Sequence, residues 1–168
     1  LLLLSPEQRR RGVIAASAGN HAQGIAYHAQ LLGIPTTVVM PVFAALIKVT
    51  NCRQIGANVV LHGADLTEAR VHAGEIAARD GLTFIHPFDN VDVIAGQGTM
   101  GLEILEQMPR VDAIVIPVGG GGLIAGIGTA VKAKRPEVQI IGVEPERAAC
   151  LTAALAQVTG VADANGLG

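Results

Sequence analysis

The chain has 168 residues and a formal net charge of -2; 50% of its residues are hydrophobic, 15% charged and 2% aromatic. The slight acidity excludes the basic footprint of a nucleic-acid binder, and so few aromatic side chains remove the stacking platforms on which single strands are held. An apolar excess of this size calls for elements buried on more than one face, as parallel strands and their covering helices are, and it leaves apolar surface for a partner subunit or for further sequence.

In chain order, the run from Leu1 to Leu4 is apolar but too short for a signal sequence, and it has no basic residues before it and no cleavage pattern after it. The chain does not begin with Met, and the expectation is the interior of a longer polypeptide. Ser5-Pro6-Glu7-Gln8 combines a capping residue, a proline at the first helical position and Gln at the third, so a short helix starts there and Gly12 ends it. The basic run Arg9, Arg10 and Arg11 compensates the dipole at its C-terminus. Residues 12–18 read as a strand. Residues 20–32 follow as a helix, with Ala22, Ile25, Ala26, Ala29 and Leu32 at helical spacing and Gly33 as the stop. The β-branched stretch 36–40 is a strand left at Pro41; 44–55 is a helix stopped by Gly56; 58–61 is a third strand. Asp65-Leu66-Thr67-Glu68 is an acidic capping box that opens a helix to about Asp80, closed by Gly81. Residues 83–85 form a fourth strand and 86–90 a loop, and 91–108 is a long helix with an irregular start around Gly96-Gln97-Gly98. A strand over 113–118, a helix over 123–134 and a strand over 139–144 complete the series. From Thr152 onward the pattern weakens, and 158–168 reads as loop.

Six strands alternating with helices specify an α/β fold with mainly parallel pairing, and ligands then sit outside the carboxyl ends of the strands. Two loops there carry unusual chemistry. Gly119, Gly120, Gly121 and Gly122 lie between a strand and a helix that begins near Leu123. Packing gives no reason for four glycines in a row, whereas a run without Cβ atoms lets successive N–H groups converge on a phosphate at the positive end of a helix. The second loop, Ser17-Ala18-Gly19-Asn20-His21, offers a hydroxyl, an amide and another helix N-terminus, which suit a carboxylate. A phosphate site and a carboxylate site on one rim describe a phosphorylated cofactor meeting an amino or keto acid. Elsewhere the signals are weaker. Cys52 and Cys150 have no repeated spacing, which points to neither a disulfide framework nor a zinc site and to a reducing cytosol. His28, His62, His72 and His86 lack metal-ligand spacing, and their expected roles are solvated or capping.

Ser17 to Gly24, the stretch His86-Pro87-Phe88-Asp89-Asn90 leading into Gly96-Gln97-Gly98-Thr99, the glycine run and Val143-Glu144-Pro145 together resemble the threonine dehydratase family. Its members are pyridoxal-phosphate enzymes of the tryptophan synthase β fold, alongside serine dehydratase and serine racemase. The likeness runs in order to about Leu155. It implies a two-lobed α/β architecture of parallel and mixed sheets with covering helices: 1–11 as a remnant of the large lobe, 12–90 as the small, substrate-carboxylate lobe, and 91–168 as part of the large, cofactor-phosphate lobe. It further implies that Gly119, Gly120, Gly121, Gly122 and Leu123 hold the cofactor phosphate, that Asn20 contacts the pyridine ring hydroxyl, and that Ser17, Gly19 and His21 grip the substrate carboxylate. The implied reaction is dehydration and deamination of L-threonine to 2-oxobutanoate and ammonia, and of L-serine to pyruvate, by a homodimer or homotetramer.

Departures from the family pattern are specific. The family's Schiff-base lysine lies in a Ser-Phe-Lys-x-Arg-Gly-Ala motif that this chain lacks, and its lysines are Lys48, Lys132 and Lys134. The expectation is that the catalytic lysine, and the C-terminal part with the serine that meets the pyridine nitrogen, lie outside this chain. Serine racemase has a serine at the position of Ala18, so Ala18 favours a dehydratase. Some relatives bind a divalent metal with an acidic residue where Cys150 stands; although Glu144 and Ala148 fit, no metal is expected. Three other readings compete. Gly120-x-Gly122-x-x-Ala125 with Glu144 after the next strand fits a dinucleotide fingerprint, hence a nicotinamide oxidoreductase, although that fingerprint belongs to a first strand-helix turn. Ala15-Ala16-Ser17-Ala18-Gly19 loosely resembles a hydrolase nucleophile elbow. The third is a catalytically dead fragment that retains only the fold.

Overall fold

A computed structural model of the chain describes residues 1–159. The chain divides into two compact units, Leu1–Pro87 and Phe88–Gly168.

The first unit opens with helix α1 (Pro6–Arg11), where Ser5 Oγ accepts from Gln8 N–H at 3.2 Å and Gln8 Oε1 accepts from Ser5 N–H at 2.8 Å, the reciprocal box expected from the sequence. The basic run does more than compensate a dipole: Arg9 Nε donates to the Leu4 carbonyl at 3.2 Å, and Arg11 pairs with Glu7. Strand β1 (Val13–Ala16) is buried at every position. It is followed by α2 (Asn20–Leu31), β2 (Thr36–Met40), α3 (Leu46–Gln54), β3 (Asn58–Leu61), α4 (Leu66–Asp80) and β4 (Thr83–Phe84). The sheet order is β3-β2-β1-β4, parallel throughout, with Ala15 opposite Val38 and Ile14 opposite Phe84. The strand period of two sorts the core. Val38 and Met40 pack with Ala22, Ala26, Val49 and Cys52 of α2 and α3 on one face, whereas Ile14, Ala16 and Val39 pack with Ala69, Ala73 and Ile76 of α4 on the other. At the start of α4, Asp65 Oδ1 accepts from Glu68 N–H at 2.9 Å as a capping box requires. The return bond differs from the expected one: Glu68 Oε2 accepts from Ala64 N–H, one residue before the cap, at 2.8 Å.

In the second unit, α5 (Val91–Gln107) is capped by Asn90, whose Oδ1 accepts from Asp92 and Val93 N–H at 2.9 and 3.1 Å. The irregular start expected at residues 96–98 is absent. Gly98, with Gly101 one turn on, serves close helix packing instead, whereas Gly96 borders open space: a Cβ at Gly98 would lie 3.1 Å from the Gly126 carbonyl oxygen, and one at Gly101 would lie 3.0 Å from Val131 Cγ2. Strand β5 (Ala113–Pro117), helix α6 (Gly122–Lys134) and strand β6 (Gln139–Val143) form a parallel two-stranded unit. Its core joins Ile114, Ile116, Ile127, Val131 and Val138. Composition suggests a doubly covered parallel sheet and the resemblance a two-lobed architecture; the strands form two sheets, and among the described residues the second is covered on one face: β5 alternates buried and exposed, leaving Val115 at 63% exposure. A 3₁₀ turn (Glu146–Ala148) leads to α7 (Cys150–Thr159), which takes in the first two residues of the stretch 158–168 expected as loop; the rest of that stretch lies outside the described residues. Among the described residues no helix is long and apolar enough to cross a membrane.

Candidate functional site

Strand order places the loop at residues 17–21. The chain winds outward from β1 through β2 to β3, then α4 crosses to the opposite face and β4 joins the other side of β1. The winding therefore reverses between β1 and β4, and in open α/β sheets the crevice at such a reversal, outside the carboxyl ends of the strands, is where ligands bind. The loop begins as an extension of the sheet, since Ser17 N–H donates to the Val39 carbonyl at 3.1 Å. The Ser17 side chain then turns back: Oγ accepts from Gly19 N–H at 3.2 Å, and the residue is 8% exposed. Gly19 is the N-cap of α2 and has no side chain with which to cap it, and a Cβ there would meet nothing within 4 Å. Asn20 is exposed at the first helical position. His21 reaches across the reversal, with Nε2 3.1 Å from the Ile85 carbonyl oxygen that follows β4. Because a carbonyl only accepts, Nε2 carries the proton of that bond. Burial lowers the His21 pKa from its ordinary 6.5; the bond to Ile85 opposes this and the nearby His86 reinforces it. The imidazole is thus neutral at pH 7, and it braces the loop rather than presenting a cation to it.

The glycine loop follows β5. Val118 N–H donates to the Val143 carbonyl at 2.8 Å and closes the ladder, after which the backbone leaves the sheet. Gly121 is the N-cap of α6 with φ +86°, a left-handed conformation that other residues adopt only with strain, and α6 has no side-chain cap. Gly122 is buried at the first helical position and Leu123 is half-buried behind it. Cβ atoms at Gly119 and Gly121 would meet nothing within 4 Å, so open space lies beside the loop. Uncapped first-turn N–H groups, a dipole end and a cradle without side chains fit an anion such as a phosphate monoester. A cleft of about 260 Å³ is lined by Gly120, Gly121, Gly122 and Ala125, together with Phe88, Asp89 and Ile94. No local pattern in the sequence gives Phe88 a role in this cleft. Packing also accounts for two of the four glycines, against expectation: a Cβ at Gly120 would overlap the Phe88 ring, and one at Gly122 would lie 2.8 Å from Phe88 Cβ. The available signal was that Phe88 is one of three phenylalanines in an aromatic-poor chain and stands two residues before a helix cap.

The dinucleotide and hydrolase readings find no geometry among the described residues. The dinucleotide fingerprint needs Glu144 open to a ribose, but its carboxylate is committed to α7, accepting from Leu151 N–H at 2.7 Å and from Thr152 N–H and Oγ1–H at 2.9 and 2.8 Å. The hydrolase elbow needs an exposed Ser17 with a histidine at its hydroxyl, whereas Ser17 is buried and the His21 ring turns to Ile85. His62 and His72 stack face to face at 3.8 Å, and His72 Nδ1 lies 3.0 Å from Glu75 Oε2. Among the described residues no group of three or more His, Cys, Asp or Glu side chains is arranged to hold a metal ion.

Residues 1–166 match the family described as pyridoxal-phosphate dependent enzyme. The chain is 53% identical over 152 residues to an L-threonine ammonia-lyase of Thermotoga maritima, covering 90% of this chain and 38% of that protein. It is 51% identical over 143 residues to the L-threonine dehydratase catabolic TdcB of Staphylococcus aureus, covering 85% and 41%. Among solved structures, the processed form of threonine deaminase isoform 2 from Solanum lycopersicum superposes with a TM-score of 0.88 at 48% identity, covering 94% of this chain and 46% of that one. Maize serine racemase superposes at 0.84 with 36% identity, covering 94% and 47%. The chain thus spans less than half the length of these relatives.

Proposed function

The chain belongs to the pyridoxal-phosphate dependent enzyme family, and on that premise we propose that it supplies the cofactor-phosphate and substrate-carboxylate sites of an enzyme that dehydrates and deaminates L-threonine to 2-oxobutanoate and ammonia, and L-serine to pyruvate. The observation that carries this reading is the uncapped N-terminus of α6 behind an open glycine loop, in a chain 53% identical to a threonine ammonia-lyase. When bound, pyridoxal phosphate supplies a ring that accepts electron density from the substrate Cα.

Each residue then has a task. Residues 91–168 form the cofactor-phosphate portion: the backbone N–H groups of Gly119, Gly120, Gly121, Gly122 and Leu123 hold the phosphate dianion, and the α6 dipole adds attraction without a lysine or arginine. Residues 12–90 form the substrate-carboxylate portion. Asn20 meets the pyridine ring hydroxyl, and Ser17, Gly19 and His21 orient the carboxylate at the start of α2. With its ring engaged by Ile85, His21 contributes its backbone N–H and holds the loop in register. Moving a proton at Cα needs a base, and the lysines of this chain are placed elsewhere: Lys48 lies on α3, Lys132 donates to the Pro136 carbonyl at 2.8 Å, and Lys134 is exposed at the end of α6. The reading assigns that base to a lysine outside residues 1–168. Ala18 offers no second acid or base on the opposite side of the substrate, which favours elimination over racemisation. Exposed apolar side chains such as Phe43, Leu46 and Ile47 support assembly as a homodimer or homotetramer, and two free thiols support a cytoplasmic location.

The test is the intact mass of the protein after incubation with pyridoxal phosphate and borohydride, alongside 2-oxobutanoate release from L-threonine. One reduced adduct on a chain heavier than 17.2 kDa, together with keto-acid release, supports the reading. A 17.2 kDa chain with neither overturns it in favour of a fragment that retains only the fold.

A further inference from the structure

We propose that Phe88 is the positioning residue of the phosphate loop: its ring seats Gly120 and its Cβ and backbone seat Gly122, so that the loop N–H groups converge on one phosphate. The inference rests on the cofactor reading above. The four glycines are not equivalent. Those at 119 and 121 border open space, whereas a Cβ at 120 would overlap the Phe88 ring and one at 122 would lie 2.8 Å from Phe88 Cβ and 3.0 Å from its Cα. The loop therefore alternates, contact on one side and cradle on the other.

Both partners of that contact are anchored. Phe88 stands two residues before Asn90, whose side chain caps α5, and the glycines run directly into α6. The two helices are held at close approach through Gly98, Gly101 and Gly126. The ring bridges the two helix starts and sets where the loop backbone lies between them. A run of four glycines has more backbone freedom than any other tetrapeptide, and unless something seats it, each N–H must be ordered when the ligand arrives. A rigid aromatic wall removes that ordering step, which is how preorganisation raises affinity. The effect is confined to ligands that carry a phosphate.

The experiment compares dissociation constants for pyridoxal phosphate and for pyridoxal, which lacks the phosphate, in the wild-type protein and in Phe88→Ala, Phe88→Tyr, Gly120→Ala and the Gly120→Ala/Phe88→Ala pair, each checked for folding by circular dichroism. Phe88→Ala is expected to weaken pyridoxal phosphate about tenfold and leave pyridoxal unchanged, with Phe88→Tyr restoring the wild-type preference. Gly120→Ala should weaken it further, and adding Phe88→Ala to Gly120→Ala should recover part of the loss, because the new methyl then occupies the space the ring has left. A role in folding alone would lower thermal stability without changing the preference for the phosphorylated form. An unchanged preference in folded Phe88→Ala overturns the proposal, and so does a double variant no better than Gly120→Ala. If Phe88→Ala does not fold, Phe88→Leu takes its place in both comparisons. A wild-type protein with no preference for pyridoxal phosphate over pyridoxal overturns the cofactor reading itself, and this proposal with it.

Discussion

His21 joins two strand ends through a single side chain. Its position in the loop after β1 follows from sequence, but the ring spans the winding reversal to Ile85 and is driven neutral by burial. A histidine whose folded pKa lies below its unfolded 6.5 contributes stability that is fully present above 6.5 and is lost as pH falls toward the folded value, because the unfolded chain takes up the proton first. Urea unfolding across that interval should therefore show stability falling on acidification. In His21→Ala the slope should flatten, with a loss of about 1 kcal/mol at neutral pH from the severed bond. An unchanged slope would mean that the ring is not the group that titrates.

At the scale of elements, α6 and α7 start in opposite ways. Helix α6 begins with glycine at its cap and has no side-chain cap, whereas α7 receives the carboxylate of Glu144 from the preceding strand end. The bond from Leu151 N–H, aided by those from Thr152, holds the Glu144 pKa below its ordinary 4.5. The cap is therefore complete above 4.5 and is lost as pH falls through the lowered value. Far-ultraviolet circular dichroism should show helix lost on acidification, and Glu144→Gln should start with less helix and lose little more. Close helix packing makes a second prediction. A Cβ at Gly126 would overlap the Ile94 carbonyl and lie 2.7 Å from Gly98 N, so Gly126→Ala should cost roughly 1–3 kcal/mol in chemical denaturation by forcing α5 and α6 apart. Most of the elements were legible because caps and periodicity are local. Asp65, Gly81 and Ser5 mark helix ends within a few residues of themselves, and the stretches 36–40 and 58–61 were read with the bounds the strands have. The irregularity expected at 96–98 was misread because the helix–helix contact that Gly98 serves joins residues distant in sequence.

For the molecule as a whole, the two units differ in completeness. The sheet of the first is covered on both faces, whereas β5 and β6 leave Val115, Ile141 and Val143 exposed on theirs. A parallel sheet is stable when both faces are covered, and a two-stranded one is marginal alone. Hydrogen exchange on the 168-residue chain should accordingly give stronger protection in β1 and β2 than in β5 and β6; equal protection would mean that the exposed face is covered in solution. By itself the sequence determined the alternation of strands and helices, the two loops that end in helix N-termini, and the family they resemble, because these depend on residue type and near-neighbour spacing. Only the tertiary structure decided the order of the strands within each sheet, that the 17–21 loop stands at a reversal of winding, and that Phe88 lies against Gly120. Strand order and side-chain contact join residues far apart along the chain, and no local pattern encodes which of them meet.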